Sequence, residues 1–359
     1  MLAAFRVLLQ LVRRDLRTSA SLAMNNLFFL VVFLLQGSNP RTMMWTAFPF
    51  VVLLGLPLLL AFSGDPLQKI PVVRLALWPL TSRDRGLLHL FGLVLTPAVW
   101  VAIFLLLLRA GLGIAVLFFV VMLATQMVVA GIGYVLRRIP IFQIQRYVPQ
   151  PPGRLGGIFR LSLRQIMTTL DFYVALMVSV SGVLYRLVNS HADRTAFPIV
   201  AVIVALALST YAQRMFGLDG VAGETRYRLL PLRGWQLLLA KDAAYLGVLL
   251  VLVLPLGVLP GLAFGLMALT VGRNASLTSS GMQLRWRFVG GDILVGILQV
   301  AIGVAVSFGC LRFGVVMFAG AVAVYVASLV VGGRLWERNP GRISAAAKRA
   351  RRRRLAKGW

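Results

Sequence analysis

The stretch AGLGIAVLFFVVMLATQMVVAGIGYVL, residues 110–136, contains no acidic or basic residue along its whole length. A helix needs about 20 apolar residues to cross the roughly 30 Å hydrocarbon core of a bilayer. The rest of the chain has a similar character, because 59% of its 359 residues are hydrophobic and only 13% are charged. Soluble domains usually carry about a quarter charged residues. The sequence therefore predicts an all-α integral membrane protein.

Apolar runs of this kind predict about ten membrane-spanning helices. Their expected ranges are 19–36, 44–63, 86–108, 110–136, 168–188, 196–213, 236–257, 259–277, 291–309 and 313–333. The stretch between Asp242 and Arg273 is short for two passes and contains two prolines, so the seventh helix is expected to start near Trp235. That start leaves Lys241 and Asp242 at the membrane interface, where long side chains can extend toward the headgroups.

The distribution of lysine and arginine predicts the orientation. With the N-terminus inside, 32 of the 37 basic residues fall in inside segments and 5 fall in outside turns. Removing one crossing would place the basic tail 335–359 outside, which favours an even number of crossings. We therefore expect a multi-pass protein with both termini cytoplasmic. Arginine supplies 33 of the 37 basic residues, a bias associated with bacterial genomes rich in G and C, so the expected location is a bacterial inner membrane.

The basic tail and the polar residues of the spans have ordinary explanations. The tail is expected to be solvated and attracted to anionic membrane lipids, and no nucleic acid partner is expected. Four amide side chains lie in the expected spans: Asn25, Asn26, Gln126 and Gln299. Such residues either line a substrate path or form hydrogen bonds between helices, and we expect the hydrogen bonds.

The chain repeats itself at a spacing of about 150 residues. RLALWPL at 74–80 resembles RYRLLPL at 226–232 with an offset of 152, and FRVLLQ at 5–10 resembles FRLSLRQ at 159–165 with an offset of 154. Two stretches with nearly the same offset indicate a duplication. Each repeat opens with a segment that has a basic face and an apolar face, which is typical of an amphipathic helix lying in the membrane interface.

The duplication predicts two parallel repeats of four and six spans. The first membrane repeat covers 1–136, a basic cytoplasmic linker covers 137–158, the second membrane repeat covers 159–334, and a polybasic tail covers 335–359. Four crossings precede the second repeat, so both repeats enter the membrane from the same side. Many secondary transporters are built instead from inverted repeats.

The loop FGLDGVAGETRYRLLPLRGWQLLLAKD, residues 216–242, resembles the signature loop of ABC-2 type transporter permeases. In that family Phe-Gly and an acidic residue with Gly precede a basic or aromatic run, a Leu-Leu-x-Pro-like break and a lysine that enters the next span. The positions that match are Phe216, Gly217, Asp219, Gly220, Arg226, Tyr227, Leu229, Leu230, Pro231, Leu238 and Lys241. Further along, GRNAS at 272–276 is similar to the family's Gly-Asn-x-x-Ser signal.

This resemblance implies the membrane subunit of an ATP-driven exporter, in which the loop forms a coupling helix that docks on a separate ATP-binding cassette subunit. The expected contact residues are Glu224, Arg226, Tyr227, Leu230 and Pro231, with Arg74, Leu77, Trp78 and Pro79 as their counterparts in the first repeat. Tyr227 and Leu230 are expected to be the anchors, and Pro231 is expected to end the helix. Family subunits usually have six spans and work in pairs, so either a fused pseudo-dimer or a dimer of chains remains possible.

Several kinds of chemistry are not expected. The chain has no G-x-x-x-x-G-K-[ST] loop, so we expect it to be no enzyme and to need no cofactor, with ATP bound by the partner. His89 and His191 fall on opposite sides of the membrane and Cys310 is the single cysteine, so no metal site is expected. No acidic residue is expected at the bilayer middle, which weakens an ion-coupled carrier. The alternatives are a non-transporting membrane scaffold and a secondary transporter.

Overall fold

A computed structural model describes residues 84, 100, 103–104, 107–108, 111–136, 153, 155–188, 196–219, 226–227, 229–278 and 289–338. The chain divides into two compact units. One comprises Met1–Tyr147 with Trp286–Phe288, and the other comprises Val148–Arg285 with Val289–Trp359. All regular secondary structure in these described ranges is helical.

The first unit contributes the helix α1, Leu112–Leu136, which has 25 residues and coincides with the predicted fourth span. Ala115, Phe118 and Met122 are buried along one face, as the three- and four-residue spacing of a helix requires. The predicted spans 19–36 and 44–63 lie outside the described residues, as does most of 86–108. The arrangement of four and six spans in two repeats therefore stays a prediction.

The second unit contains six long helices preceded by a shorter one. They are α2, Gly156–Met167; α3, Leu170–Val188; α4, Ala196–Arg214; α5, Gly234–Val253; α6, Val258–Thr278; α7, Ile293–Phe313; and α8, Val315–Arg338, with a 3-10 turn at Gly217–Asp219. Helices α3 to α8 are each long and apolar enough to cross a membrane. The chain is a multi-pass membrane protein, and these helices lie within a few residues of the predicted fifth to tenth spans.

The short hairpin between α5 and α6 has two helices of membrane length. They contain 20 and 21 residues, and 20 residues at about 1.5 Å each extend about 30 Å. Helix α5 begins at Gly234, next to the predicted start near Trp235. Pro260 lies in the first turn of α6, where a missing N–H removes no helical hydrogen bond.

The bundle of six spans has two ends, which we call the turn end and the loop end. At the turn end, Arg186 donates a hydrogen bond to the carbonyl of Pro255 over 3.0 Å, and Ser307 donates one to Pro260 over 2.9 Å. At the loop end lie residues 215–219, 226–227, 229–233 and 289–292. Asp171 marks that end, since it accepts hydrogen bonds from Thr210 at 3.0 Å and from the backbone N–H of Val289 at 2.7 Å.

Local sequence fixes the ends of α7 and α8. Asp292 caps α7 by accepting a hydrogen bond from the backbone N–H of Leu294 at 2.9 Å. Gly314 alone separates α7 from α8, with φ at 59°, in the left-handed region that favours glycine. The two helices therefore form a tight hairpin at the turn end.

Helices α4, α5 and α6 form the centre of the second unit. Between 56 and 61% of their span residues are buried inside the unit, compared with 22 to 28% for α7 and α8. The outer helices present side chains such as Leu294, Phe313 and Val316 to the surroundings. Such exposure is ordinary for a membrane helix, because lipid tails are as apolar as leucine.

Gln299 forms hydrogen bonds between helices, as predicted for it. Its side chain is fully buried, accepts a hydrogen bond from Gln213 at 2.6 Å and donates one to the carbonyl of Ala268 at 2.7 Å. These bonds join α7 to α4 and α6. A Cβ on Gly272 would lie 2.6 Å from the amide nitrogen of Gln299, so the absence of a side chain at 272 makes room for this link.

Candidate functional site

Two ion pairs are buried at the loop end, and both begin on α5. Lys241 pairs with Asp219, and the next residue, Asp242, pairs with Arg273. The expectation that Lys241 and Asp242 extend to the membrane interface is wrong, since their side chains are only 0 and 2% exposed. Helices α2 and α8 pack against α5, where both side chains are buried. A buried charge is costly unless it is paired, and each of the two has a partner.

The Lys241 ammonium joins α5 to the residues that follow α4. It donates a hydrogen bond to the carbonyl of Met215 at 3.2 Å and another to one carboxylate oxygen of Asp219. The second carboxylate oxygen of Asp219 accepts a hydrogen bond from Gln165 at 2.7 Å. Because Gln165 belongs to α2, the Asp219 carboxylate links α2 to α5.

Aromatic rings surround the same ammonium. Its nitrogen lies 4.7 Å from the ring centroid of Phe216 and 5.2 Å from that of Tyr227. The Phe216 ring in turn lies 5.1 Å from the Trp336 ring of α8. Cation–π contacts of this length are most favourable when water is excluded, as it is around this buried lysine.

The Asp242 carboxylate joins three spans. One of its oxygens accepts hydrogen bonds from the Arg273 guanidinium of α6 at 2.9 Å and from the Tyr325 hydroxyl of α8 at 3.0 Å. The same guanidinium donates a further hydrogen bond to Ser328 at 2.8 Å. Asp242 lies within the membrane-length helix α5, whereas the buried Asp171 lies in the first turn of α3.

The GRNAS motif supplies three of the contacts at this end. Gly272 allows close packing, Arg273 pairs with Asp242, and the Ser276 hydroxyl accepts a hydrogen bond from the backbone N–H of Phe216 at 3.2 Å. A cavity of about 10 Å³ lies between Asp242, Arg273 and Ser276. That volume suits one water molecule and is too small for a transported solute.

Segment 226–231, of which the structure describes all but residue 228, has an outer and an inner side. Leu229 and Leu230 are 80 and 42% exposed, and Arg226 and Pro231 are exposed as well. Tyr227 is only 7% exposed, because its ring packs near Lys241 and within a buried apolar cluster that includes Phe216 and Leu237, so it does not point outward as predicted. Helical conformation stops before Pro231, in agreement with the prediction for that proline.

The environment of Tyr227 keeps its hydroxyl neutral. Burial raises the pKa of this hydroxyl, and the negative charge of Asp219 raises it further. The Tyr227 ring contacts the Lys241 ammonium and packs in a buried apolar cluster that includes Phe216 and Leu237.

Other predicted contact residues lie outside the described part of the chain. They are Glu224, Arg74, Leu77, Trp78 and Pro79. Sequence reasoning did not find the paired roles of Lys241, Asp242 and Arg273. The available signal was an adjacent lysine and aspartate within an apolar helix, with an opposite charge in each flanking loop or span.

Comparison with protein-family models, with curated proteins and with solved structures finds no match to this chain. The features that bear on function are therefore those of the chain itself. They are the two buried ion pairs of the loop end and the exposed leucines of segment 226–231.

Proposed function

We propose that the chain is the membrane-spanning subunit of an ATP-driven exporter in a bacterial inner membrane, and that segment 226–231 docks a separate ATP-binding subunit. One observation supports this most strongly. Leu229 is the most exposed large apolar side chain in the described residues, and it lies before the first turn of α5 and not within a span. A groove on a partner protein would cover an apolar side chain that lies beyond the end of a span.

The composition of the segment suits a protein contact. Leu229, Leu230 and Pro231 supply an apolar centre, and the exposed Arg226 and Arg233 flank it. Protein interfaces commonly have an apolar centre inside a polar rim, and arginine is favoured there. This arrangement corresponds to the ABC-2 type resemblance of the loop, with Leu229 taking the place that was predicted for Tyr227.

The distribution of basic residues supports a cytoplasmic loop end. The exposed or half-buried arginines at that end are Arg160, Arg164, Arg214, Arg226, Arg233, Arg334 and Arg338. The turn end of the described bundle has Arg186 and Arg312. Cytoplasmic ends carry the excess of basic residues, and ATP is available on that side of the membrane.

The number of chains in the transporter stays open between two proposals. In the described part of the chain, one docking segment belongs to one bundle of six spans, which matches the usual size of a family subunit and favours a dimer of chains. A fused pseudo-dimer requires that residues 74–79 form a second docking segment. Binding of one or two ATP-binding subunits per chain distinguishes the two proposals.

A secondary carrier is the second candidate function, and Asp242 favours it. Ion-coupled carriers use carboxylates inside their spans, and Asp242 is buried within α5. The Arg273 guanidinium and the Tyr325 hydroxyl already occupy one of its oxygens, however, so a structural role explains this carboxylate equally well. Transport that requires ATP and continues after the proton and sodium gradients are dissipated would exclude the carrier.

The docking proposal predicts that Leu229→Ala with Leu230→Ala weakens binding of the ATP-binding subunit. Loss of anchor residues costs about 2 kcal/mol or more at such interfaces, roughly a thirtyfold loss of affinity. The measurement is co-purification and titration with a candidate ATP-binding cassette subunit from the same organism. Leu184→Ala with Leu187→Ala is the matched control, because these leucines are 45 and 75% exposed but lie at the turn end. Equal affinity of both double variants for the partner would refute docking by this segment.

The orientation can be tested independently of any partner. In a Cys310→Ser background, we expect Leu187→Cys to react in intact cells with a maleimide that does not cross the inner membrane. We expect Leu229→Cys to react only after the cells are permeabilised, because the loop end is proposed to be cytoplasmic. Reaction of Leu229→Cys in intact cells would contradict the orientation.

A further inference from the structure

Segment 226–231 meets the membrane bundle at Tyr227, whose ring contacts the Lys241 ammonium and packs in a buried cluster with Phe216 and Leu237. Tyr227 belongs to the segment and Lys241 belongs to α5, and the ammonium nitrogen lies 5.2 Å from the centroid of the tyrosine ring. The tyrosine ring is almost fully buried while the neighbouring Leu229 is exposed. Within the segment, Tyr227 therefore points toward the bundle and Leu229 points away from it.

The position of the ammonium is itself fixed from several directions. Asp219 pairs with it, Gln165 holds the other oxygen of that carboxylate at 2.7 Å, and the Met215 carbonyl accepts a further hydrogen bond from the lysine. The Phe216 ring lies 4.7 Å from the same nitrogen. These contacts hold the ammonium at a fixed position, where it can form a cation–π contact with an aromatic ring.

We propose that Lys241 is a positioning residue for docking, because its ammonium holds the Tyr227 ring and so presents Leu229 and Leu230 to the ATP-binding subunit. This inference rests on the proposed docking function. A segment held in its binding conformation loses less conformational entropy on association, which is how a residue that does not touch the partner can raise affinity. The role proposed for Tyr227 belongs to its ring, which is the part that the ammonium contacts.

The same residue connects the segment to the rest of the bundle. Asp242 follows Lys241 on α5, and its carboxylate holds Arg273 of α6 and Tyr325 of α8. A displacement of α5 that moves the ammonium therefore also moves the carboxylate and the two spans bound to it. Lys241 and Asp242 therefore connect the proposed docking segment to helices α5, α6 and α8.

Trypsin cleavage of the full chain in lipid nanodiscs, without any partner, tests the positioning role. The bond after Arg226 reports on the segment, because proteolysis follows the population of locally opened molecules when opening is fast. We expect cleavage there to be at least about tenfold faster in Lys241→Met and in Tyr227→Leu, a population change of the size that local opening produces. Tyr227→Phe keeps the ring and should be cut at the wild-type rate.

Cleavage after Arg273 distinguishes local release from general unfolding. This arginine is buried within α6, so the bond should stay protected in all variants if only the segment is released. Equal acceleration at Arg226 and Arg273 would overturn the proposal, as would an unchanged rate at Arg226 in folded Tyr227→Leu. Should Lys241→Met fail to fold, the comparison of Tyr227→Leu with Tyr227→Phe decides, because both leave the Lys241–Asp219 pair intact and only Tyr227→Phe keeps the ring that the ammonium contacts.

Partner binding is a separate readout. If wild type binds the ATP-binding subunit, Tyr227→Leu should bind about tenfold less tightly and Tyr227→Phe should bind normally, as expected when only preorganisation is lost. Equal affinity of wild type and Tyr227→Leu would overturn the positioning role in docking. If wild type does not bind the subunit, the docking proposal fails while the cleavage experiment still decides whether Lys241 holds the segment.

Discussion

Asp242→Asn is expected to lower the free energy of unfolding by about 3–5 kcal/mol, the usual cost of leaving one member of a buried ion pair without its partner. Asparagine keeps the shape of the side chain, so the effect comes from the lost charge. The Arg273 guanidinium would remain buried, and the Tyr325 hydroxyl would lose a charged acceptor. Unfolding of the purified chain in detergent by increasing sodium dodecyl sulfate, followed by circular dichroism, measures the change.

Two further variants show whether the pair itself is responsible. Arg273→Met alone should be as destabilising as Asp242→Asn, whereas the double variant should be less destabilising than the sum of the two, since no unpaired charge remains. Asp292→Asn is the matched control, because this exposed aspartate only caps α7 and asparagine caps a helix equally well. Additive effects of Asp242→Asn and Arg273→Met would contradict a direct interaction.

The second large effect is expected at the crossing of α5 and α8. A Cβ on Gly333 would lie 2.6 Å from the backbone nitrogen of Trp235, and one on Gly234 would lie 2.4 Å from the carbonyl oxygen of Gly333. Both neighbours are backbone atoms, which cannot rotate away. Separating the helices would strain the hydrogen bond from the Gly234 N–H to Glu337, which is 2.7 Å long. Gly333→Ala should therefore cost about 3 kcal/mol, at the upper end of overpacking effects.

Gly320→Ala on the same helix is the control for this prediction. No atom lies within 4 Å of the position that its Cβ would occupy, so the substitution adds no clash. Alanine also has the higher helix propensity, and the expected result is an unchanged or slightly higher stability. The same denaturation experiment compares the two variants, and equal stability would show that α5 and α8 do not approach as closely as described.

Local sequence was sufficient to predict the spans of the second unit. Long uncharged runs determine where a membrane helix can lie, and the six helices from Leu170 to Arg338 follow those runs to within a few residues. The start of α5 near Trp235 and the end of the short helical run before Pro231 were also predicted. Each depends on residues close together in the chain, which is why a single sequence reveals them.

Contacts over long sequence separations could not be predicted in this way. The partners of Asp242 are Arg273, which is 31 residues further along the chain, and Tyr325, which is 83 residues further along. Because the sequence does not reveal those partners, Lys241 and Asp242 were expected to extend toward the membrane interface. The same limitation of local sequence explains Tyr227, whose outward orientation was inferred from residue type. Its ring is instead buried against Lys241, 14 positions further along, and in an apolar cluster that includes Ile158 of α2 and Leu329 of α8.

The consecutive charges of α5 also affect how the chain is inserted during synthesis. A lysine or an aspartate costs about 2.5–3.5 kcal/mol at the centre of a helix that passes alone from the translocon into lipid, and less toward the helix ends. Asp219, the partner of Lys241, is synthesised before α5. Arg273, the partner of Asp242, is synthesised 31 residues after it. Helix α5 is thus a poor candidate for independent release into the bilayer. It would leave the translocon together with α6, as a hairpin whose charges are already neutralised.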